Sequence, residues 1–492
     1  MSKKNYYDRR EFLQNLSLGL LAIYGLPGLF NRASGQDKAK YTLDPNFYGD
    51  NYTVGHKMRD GEINIKDIAS RTSIDNVIVG GGISGLSMAY NLKNSNYVLL
   101  EQYNEAGGQA RGDIYNGIGY SYGSSYLYEL NDNLESILDD LGLKPVLIEC
   151  SNFYPDEQFQ SLSKDVLNKD KEKFIKESGK IWNKLHCDQF NWAHLPPNLK
   201  ALDEIPFIKC LSGYSDYFIN YLDSILRSRL CGGVNNLSAL ASYIALSSLK
   251  SGVYAVAGQN TAIVNALRKK LKDKILTNSF VVSIELDMYG GKLCYVDKEY
   301  LIHEINFKKI IVSTIPMVAS HIIANLGDID RKTLKQFKNT SFLVANLFMD
   351  SNSNFAYNNF VSDSYEFSNF LNCNFLYGHD KSNVFTVFKP FEIGGVGRRE
   401  LIVGDKEDLG QKLTTHLGKA LGHNFVDAIK EISLARWGHA MPLASINYFK
   451  RCENIKNLNT SSLIFNHSSL SSIPSFASAC NLSKLLANKV LN

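Results

Sequence analysis

The sequence has little net charge and no closely spaced cysteines. Its 53 Lys and Arg residues face 49 Asp and Glu residues, a net charge of +4 over 492 residues, which argues against a nucleic-acid partner. The eight cysteines include no Cys-x-x-Cys pair, so neither a zinc ribbon nor a dithiol redox motif is predicted. Histidines and acids show no metal-ligand spacing, and no Gly-x-Ser-x-Gly element indicates a hydrolase.

An apolar run long enough to cross a membrane is also lacking. Such a helix needs roughly 20 apolar residues, and the uncharged stretch 16–30 is shorter and interrupted by glycines and a proline. It follows a basic patch that contains Arg9 and Arg10, and this order resembles a twin-arginine export signal. Residues 1–35 are therefore predicted to direct the protein to the periplasm through the twin-arginine machinery. An uncleaved signal that anchors the protein in the membrane is the alternative.

The export route itself indicates a cofactor, because the twin-arginine pathway carries proteins that have already folded. A protein whose cofactor is inserted in the cytoplasm needs such a route. Residues 36–72 are polar and are expected to form an N-terminal linker. A cofactor-binding domain is then expected to begin near residue 73.

A glycine-rich turn follows the first predicted buried strand, residues 76–79. Its pattern is G-x-G-x-x-G, in which the glycines allow a tight turn and a close approach of backbone to a pyrophosphate. The following helix would present its N-terminus to the phosphates. The predicted cofactor-binding residues of this turn are Gly80, Gly82, Ile83, Ser84 and Gly85.

A second strand is predicted over residues 97–101, and it ends in Glu101. This is the position of the carboxylate that accepts a ribose hydroxyl in dinucleotide-binding domains. A 2′-phosphate on that ribose would be repelled by the carboxylate. The adenosine half of NAD or FAD is therefore predicted, and NADP is not.

Gly107, Gly108 and Arg111 follow Glu101 closely. Here the sequence resembles the FAD-dependent amine oxidase and desaturase superfamily, in which the acid is followed by Gly-Gly and by an arginine near the diphosphate. The resemblance extends over nearly all of the chain after residue 35 and implies FAD as the cofactor. It also implies cofactor contacts by Gly123 and Ser124 beneath the flavin, and by Val282 in a strand that reaches the adenine.

The last part of the chain, residues 464–476, resembles the closing signature of this superfamily. The resemblance implies cofactor contacts by Ser469 and Ile473. Ser469 stands where an acid is common, Ser472 stands where glycine is usual, and Gln259 replaces another glycine. Loss of the acid would remove a charge-assisted hydrogen bond worth about 1.5 to 3 kcal/mol, part of which a serine hydroxyl could restore.

The segment Trp437-Gly438-His439 resembles one that lies near the flavin in exported members of the superfamily. His439 and Trp437 are the predicted catalytic residues, since a neutral imidazole could orient an amine and an indole could form an aromatic wall. His467 is a further candidate for a contact with flavin or substrate. A purely structural role is the alternative for each of the three.

The predicted fold class is α/β, a Rossmann-like FAD-binding domain built from discontinuous segments, with an inserted α+β substrate domain. With 44% hydrophobic residues the chain can bury a core in each domain. The FAD-binding segments are predicted at residues 73–145, 230–320 and 430–492. The substrate and lid segments are predicted at residues 146–229 and 321–429.

The function implied by the resemblance is that of an exported FAD-dependent oxidoreductase, similar to spermidine dehydrogenase-like flavoproteins. Such an enzyme would transfer a hydride from an amine, with polyamines included, to flavin N5 and pass electrons to oxygen or to an envelope acceptor. One alternative is a desaturase or oxidase of isoprenoids or porphyrins on the same fold. The other is a non-catalytic binding protein, which the replacements at Ser469, Ser472 and Gln259 would permit.

Overall fold

The computed structural model describes residues 41–60, 62, 68–149, 151–162, 164–185, 190–349, 355–377, 383–392 and 394–491. The predicted export signal, residues 1–35, lies outside these ranges. No helix within them combines the length and the apolarity that crossing a bilayer would require.

The strands are numbered in chain order. They are Thr42–Gly49 (β1), Ile68–Val79 (β2), Tyr97–Leu100 (β3), Gly112–Tyr115 (β4), Ile118–Ser121 (β5), Val146–Ile148 (β6), Ser151–Tyr154 (β7), Val253–Ala255 (β8), Ile275–Leu276 (β9), Phe280–Asp287 (β10), Gly290–Val296 (β11), Ile302–Val312 (β12), Ser341–Met349 (β13), Asn358–Val361 (β14), Asn369–Asn372 (β15), Asn383–Phe391 (β16), Ile429–Trp437 (β17) and Leu463–Phe465 (β18).

The α-helices are numbered in the same way, and short 3-10 turns lie between several of them. They are Thr53–Arg59 (α1), Ile83–Asn91 (α2), Asp132–Asp140 (α3), Lys164–Trp182 (α4), Pro197–Lys200 (α5), Asp216–Leu230 (α6), Ala239–Leu246 (α7), Ser248–Ser251 (α8), Gln259–Leu271 (α9), Pro316–Ile322 (α10), Asp328–Leu334 (α11), Gly394–Val403 (α12), Lys406–Leu421 (α13), His423–Asp427 (α14), Tyr448–Lys456 (α15) and Phe476–Leu491 (α16).

The first sheet has the order β10-β11-β12-β2-β3-β9, with β18 beside β12. The strands β2, β3, β9, β12 and β18 pair in parallel, as in a Rossmann-like domain. The last residues of β2 lie at the centre of this sheet, where Val77 and Ile78 are fully buried. Helices α2 and α16 pack together beside this sheet.

The second sheet has the order β1-β17-β13-β16-β15-β14-β7. Every residue of β13 is buried, because hydrophobic clusters cover both faces of this strand. Helix α13 contributes Leu409, Leu413 and Leu417 to one of these clusters. The predicted α/β class is confirmed, with one mixed sheet that contains five parallel strands and a second, largely antiparallel sheet.

Two predicted segments differ from the structure in where they lie. Residues 42–49, predicted within a linker, form β1 and pair in parallel with β17. Residues 430–437 were expected in the cofactor domain, yet β17, which contains them, lies between β1 and β13 in the second sheet. The physical reason is apolar burial, because Ile432 and Leu434 of β17 join the core of that sheet.

Candidate functional site

A cavity of about 680 Å³ extends from the carboxyl ends of β2, β3 and β12 to the second sheet. Val79, Leu100 and Ser313 line its first part, and Phe342 and Phe388 line its far part. Ligands of open α/β sheets bind at the carboxyl ends of the strands, and a volume of this size accommodates a ligand of several hundred Å³. The cavity is therefore the candidate site.

The glycine turn between β2 and α2 forms one wall of the cavity. Gly80 has a φ of +99°, a conformation that glycine adopts without strain. Gly85 lies behind the wall: an added Cβ would come within 1.9 Å of the Gly80 carbonyl oxygen, so only glycine lets α2 pack on this turn. The predicted residues that line the cavity here are Gly80, Gly82, Ile83 and Ser84.

Glu101 lines the cavity directly after β3 and is only 5% exposed. The Gly81 backbone N–H donates to Oε2 at 2.7 Å, and the Tyr103 N–H donates to Oε1 at 2.9 Å. Burial raises the pKa of Glu101, and these hydrogen bonds oppose that effect. Each carboxylate oxygen can accept a further hydrogen bond, so the side chain can bind a hydroxyl group of a ligand.

The diglycine loop, Gly107 and Gly108, lies at the cavity, whereas the arginine that follows it does not. Gly107 and Gly108 line the cavity, but Arg111 does not. Its guanidinium donates to the Gly49 carbonyl oxygen at 3.0 Å and to the Gly108 carbonyl oxygen at 3.2 Å, and it lies 4.4 Å from the centre of the Tyr103 ring. Arg111 therefore fastens the diglycine loop to the N-terminal segment and does not line the cavity.

Gly123 and Ser124, two of the predicted cofactor contacts, line the cavity. The Ser124 N–H donates to the Gln109 carbonyl oxygen at 2.7 Å, and Asn260 Nδ2 donates to Ser124 Oγ at 2.8 Å. These bonds tie the turn after β5 to the diglycine loop and to helix α9. The turn is thus held in place by partners on two sides.

Strand β10 lines the cavity through residues that precede the predicted Val282. Phe280 and Val281 line the cavity together with Ser279, whereas Val282 does not. A register shift lies between Val281 and Ser283 in the pairing with β11, which alters the simple alternation of side chains along the strand.

The closing signature is displaced in a similar way. His467, Ser468, Pro474, Ser475 and Phe476 line the cavity. Ser469 and Ile473, the residues predicted there, are buried behind this wall. Ser469 Oγ lies 2.7 Å from His467 Nδ1, and the Ser469 carbonyl accepts a hydrogen bond from the Tyr448 hydroxyl at 2.8 Å. Ser469 supports the wall and does not form it.

Gln259 also lies away from the cavity wall, although it replaces a glycine. Its φ of +56° lies in the left-handed region, which favours glycine. Its amide Nε2 lies 2.9 Å from Cys373 Sγ. The departures at residues 259, 469 and 472 thus affect supporting positions and leave the cavity open.

His467 lines the cavity as a neutral imidazole. Burial lowers its pKa to about 4. The Ser469 backbone N–H donates to Nδ1 at 3.2 Å, so the ring carries its own hydrogen on Nε2. The side chain can therefore offer one N–H donor.

This neutral histidine predicts a pH dependence of stability. The unfolded chain protonates His467 below its ordinary pKa of about 6.5, whereas the folded chain resists protonation until about pH 4, so stability is lost as the pH falls through this window. At pH 5 this difference in pKa lowers the free energy of unfolding by on the order of 2 kcal/mol. His467→Asn, whose Oδ1 can replace Nδ1 as acceptor, should narrow the gap between the Tm values at pH 7 and pH 5. An unchanged gap would contradict a buried neutral ring.

Trp437 and His439 both line the cavity. Trp437 is only 4% exposed, and its Nε1 donates to the Tyr122 carbonyl oxygen at 2.6 Å, so the indole is a fixed part of the wall. The Arg398 guanidinium donates to His439 Nε2. Burial and the charge of Arg398 lower the pKa of His439 to about 4. Because Nε2 is already engaged, this histidine is a poor candidate for a general base.

The far part of the cavity is an aromatic chamber that the sequence did not reveal. Its walls come from helix α6, from β13, β15 and β16, and from the segment after β5. The residues of this chamber are Tyr126, Tyr128, Ser228, Phe342, Val344, Asn369 and Phe388. Among the described residues that line the whole cavity, Asp50 and Glu101 are the acidic ones, and both accept backbone N–H bonds.

The residues present fit a dinucleotide such as FAD. Thr314 Oγ1 is buried beside Gly80 and has no hydrogen-bond partner among the described residues, so a polar ligand atom would satisfy it. Gly82 leaves open space at its Cα, since an added Cβ would find its nearest atom, Gly108 Cα, at 4.0 Å. In the described part of the chain, no group of three or more His, Cys, Asp or Glu residues could hold a metal ion.

Comparison with known proteins agrees with this geometry. Residues 78–141 match the family model of an NAD(P)-binding Rossmann-like domain. Wild-type putrescine oxidase bound to putrescine superimposes with a TM-score of 0.68 at 15% identity, covering 86% of this chain and 99% of that chain. The chain has the fold of the FAD-dependent amine oxidase and desaturase superfamily.

Two other known proteins are similar to this chain, one in its fold and one in the sequence of a short segment. Cyclohexylamine oxidase from Brevibacterium oxydans has a TM-score of 0.63 at 15% identity, covering 85% of this chain and 100% of that chain. Protoporphyrinogen oxidase 2, chloroplastic/mitochondrial, from Arabidopsis thaliana is 38% identical over 69 residues, which is 14% of each protein. The recognition from sequence is confirmed for the fold, and these relatives support the predicted oxidoreductase class and FAD as cofactor.

Proposed function

We propose that the protein is an FAD-dependent oxidoreductase that oxidises an amine with an apolar body. One observation carries this proposal: a single cavity joins a dinucleotide cradle at the ends of β2 and β3 to an aromatic chamber in the second sheet. A cofactor held in the cradle and a substrate held in the chamber would meet inside one continuous cavity. The similar folds of putrescine oxidase and cyclohexylamine oxidase support the reaction class.

The cradle residues would hold the cofactor by backbone groups and one carboxylate. The N-terminus of α2 would face the diphosphate, and Glu101 would accept a ribose hydroxyl. When bound, FAD supplies flavin N5 as the acceptor of a hydride from the carbon next to the substrate nitrogen. The replacements at Gln259, Ser469 and Ser472 lie outside the cavity wall, which argues against a chain that has lost its cofactor.

The chamber residues would bind the substrate and exclude water. Apolar surroundings disfavour a charged ammonium group, so the amine would be held in the neutral form that the reaction needs. The chamber walls hold tyrosine and phenylalanine rings with two small polar groups, Ser228 and Asn369. A polyamine would also need an acceptor for its distal ammonium group, and none of the residues that form the chamber is acidic. We therefore propose a monoamine in preference to a polyamine.

A second candidate is the oxidation of a large apolar substrate such as a porphyrinogen. The aromatic chamber favours it, and so does the 69-residue similarity to protoporphyrinogen oxidase 2. The two candidates share the cofactor and differ in what the chamber binds.

Anaerobic mixing of the holoprotein with a substrate panel tests the proposed reaction. Benzylamine and cyclohexylamine should bleach the flavin absorbance faster than putrescine or spermidine. If protoporphyrinogen alone bleaches it, the second candidate is correct. If none of these compounds does, the amine proposal is wrong.

Ser228→Asp provides a matched test of the chamber. A carboxylate at this position should raise kcat/KM for putrescine relative to benzylamine by about tenfold or more, because it would pair with the distal ammonium group. Ser228→Asn, which adds similar bulk without charge, is the control. Equal preferences in the two variants would show that position 228 does not face the substrate.

We also propose that residues 1–35 direct export by the twin-arginine machinery, and that an acceptor in the cell envelope or oxygen takes the electrons. The support is the order of arginine pair, apolar stretch and small residues in the sequence. Replacing Arg9 and Arg10 together with lysine should retain the protein in the cytoplasm, as shown by cell fractionation. Undiminished export of this variant would contradict the assignment.

A further inference from the structure

Residues 49–57, which we call the N-terminal strap, run along the cavity although they precede the Rossmann-like part of the chain. The strap follows β1 and enters helix α1. It contributes five residues to the cavity wall, namely Asp50, Asn51, Tyr52, Gly55 and His56. A linker would have no reason to place so many residues at a ligand site.

One end of the strap is attached to the segment near Trp437. The Gly438 backbone N–H donates to Asp50 Oδ2 at 2.7 Å, and the Asp50 N–H donates to the Arg436 carbonyl oxygen at 2.8 Å. Gly49 accepts the hydrogen bond from Arg111. These bonds join the strap to β17 and to the diglycine loop at the same time.

The rest of the strap is attached beside Glu101 and β10. The Asn51 N–H donates to the Tyr103 hydroxyl at 2.9 Å. Gly55 lies against the Phe280 ring, because an added Cβ would be 3.6 Å from its Cζ atom. Lys57 Nζ donates to the Tyr300 hydroxyl at 3.1 Å. The strap is thus fixed at both ends and spans the part of the cavity between the two attachments.

We propose that the strap is a further part of the cofactor site and holds the adenosine half of FAD through Tyr52 and His56. This inference rests on the proposed binding of FAD. The strap lies against Tyr103, two residues after Glu101, and against Phe280, the first residue of β10. Glu101 is the proposed ribose ligand, and β10 is the strand expected to reach the adenine. The rings of Tyr52 and His56 lie 4.7 Å apart and both line the cavity, so they offer an aromatic surface to a purine.

The rate at which FAD leaves the holoprotein tests this inference. The double variant Tyr52→Ala/His56→Ala should release FAD about tenfold faster or more, because aromatic contacts with a base are typically worth that factor in affinity. Release is followed by the rise in flavin fluorescence after dilution. Thr53→Ala is the matched control, since Thr53 lies on the same strap, is exposed and does not line the cavity.

The outcomes separate the strap from the cofactor proposal. Fast release by the double variant with wild-type release by the control supports the strap, provided that both variants keep the wild-type circular dichroism spectrum. If the double variant fails to fold, Gly55→Leu against Thr53→Leu repeats the comparison by filling space beside Phe280. If the cavity-facing variants release FAD at the wild-type rate, the proposed role of the strap in holding FAD is wrong. If the wild-type protein binds no FAD, the cofactor proposal itself is wrong.

Discussion

Replacing Gly82 with valine should give a folded protein that contains almost no FAD. Gly82 is the N-cap residue of α2 at a φ of −67°, which any residue can adopt. The nearest atom to an added Cβ is Gly108 Cα at 4.0 Å, so the fold itself has room for the substitution. The extra methyl groups would occupy the gap between the glycine turn and the diglycine loop, where the diphosphate is expected. The ratio of flavin absorbance to protein absorbance in the purified variant measures the loss.

Gly179→Val is the control for this loss. Gly179 lies in helix α4, and an added Cβ there meets no atom within 4 Å in the described part of the chain. This control should keep both its FAD and its Tm. If Gly82→Val also keeps wild-type FAD content, the cradle is not at the glycine turn.

Removal of the Glu101 carboxylate should have the second largest effect. Glu101→Ala leaves the buried N–H groups of Gly81 and Tyr103 without their acceptor, at a cost on the order of 2 kcal/mol in the free energy of unfolding. It also removes the acceptor for the ribose hydroxyl. FAD affinity should fall about a hundredfold, as measured by titration of the apoprotein.

Glu101→Gln separates the two parts of this effect. The amide keeps the size of the side chain and one carbonyl acceptor, so its FAD affinity and Tm should lie between those of wild type and Glu101→Ala. An alanine variant with wild-type affinity would show that Glu101 has a structural role only.

The cradle could be predicted from the sequence because its determinants are local. A tight turn requires glycine at fixed spacing, and a strand that ends in an acid is recognised from its own residues. Gly80, Gly82 and Glu101 accordingly line the cavity. Val282, Ser469 and Ile473 were assigned by alignment to a pattern, and a shift of one residue moves a side chain from the cavity to the opposite side.

The strap and the aromatic chamber could not be predicted because they depend on contacts between distant segments. Residues 42–49 gain their strand structure from β17, almost 400 positions later in the chain. The sequence does contain a partial signal, since Tyr41, Leu43 and Phe47 fall on alternate positions and pack against the core of the second sheet. A proline within the stretch and the register shift between Leu43 and Phe47 obscure it.

The predicted catalytic residues show the same limit. Trp437 and His439 both line the cavity, but the chemistry of His439 depends on Arg398, which lies in a different element. A guanidinium hydrogen bond and burial turn His439 into a neutral acceptor that is already occupied. The orientation and enclosure of the substrate, and not a basic side chain, are therefore the expected contribution of the protein to the reaction.

The FAD content of the purified full-length protein tests the central claim most directly. Protein produced with its cytoplasmic cofactor supply should be yellow and should release close to one FAD per chain on denaturation, identified as FAD by chromatography. A colourless protein that remains without flavin after incubation with excess FAD would contradict the assignment of the cavity as a flavin site.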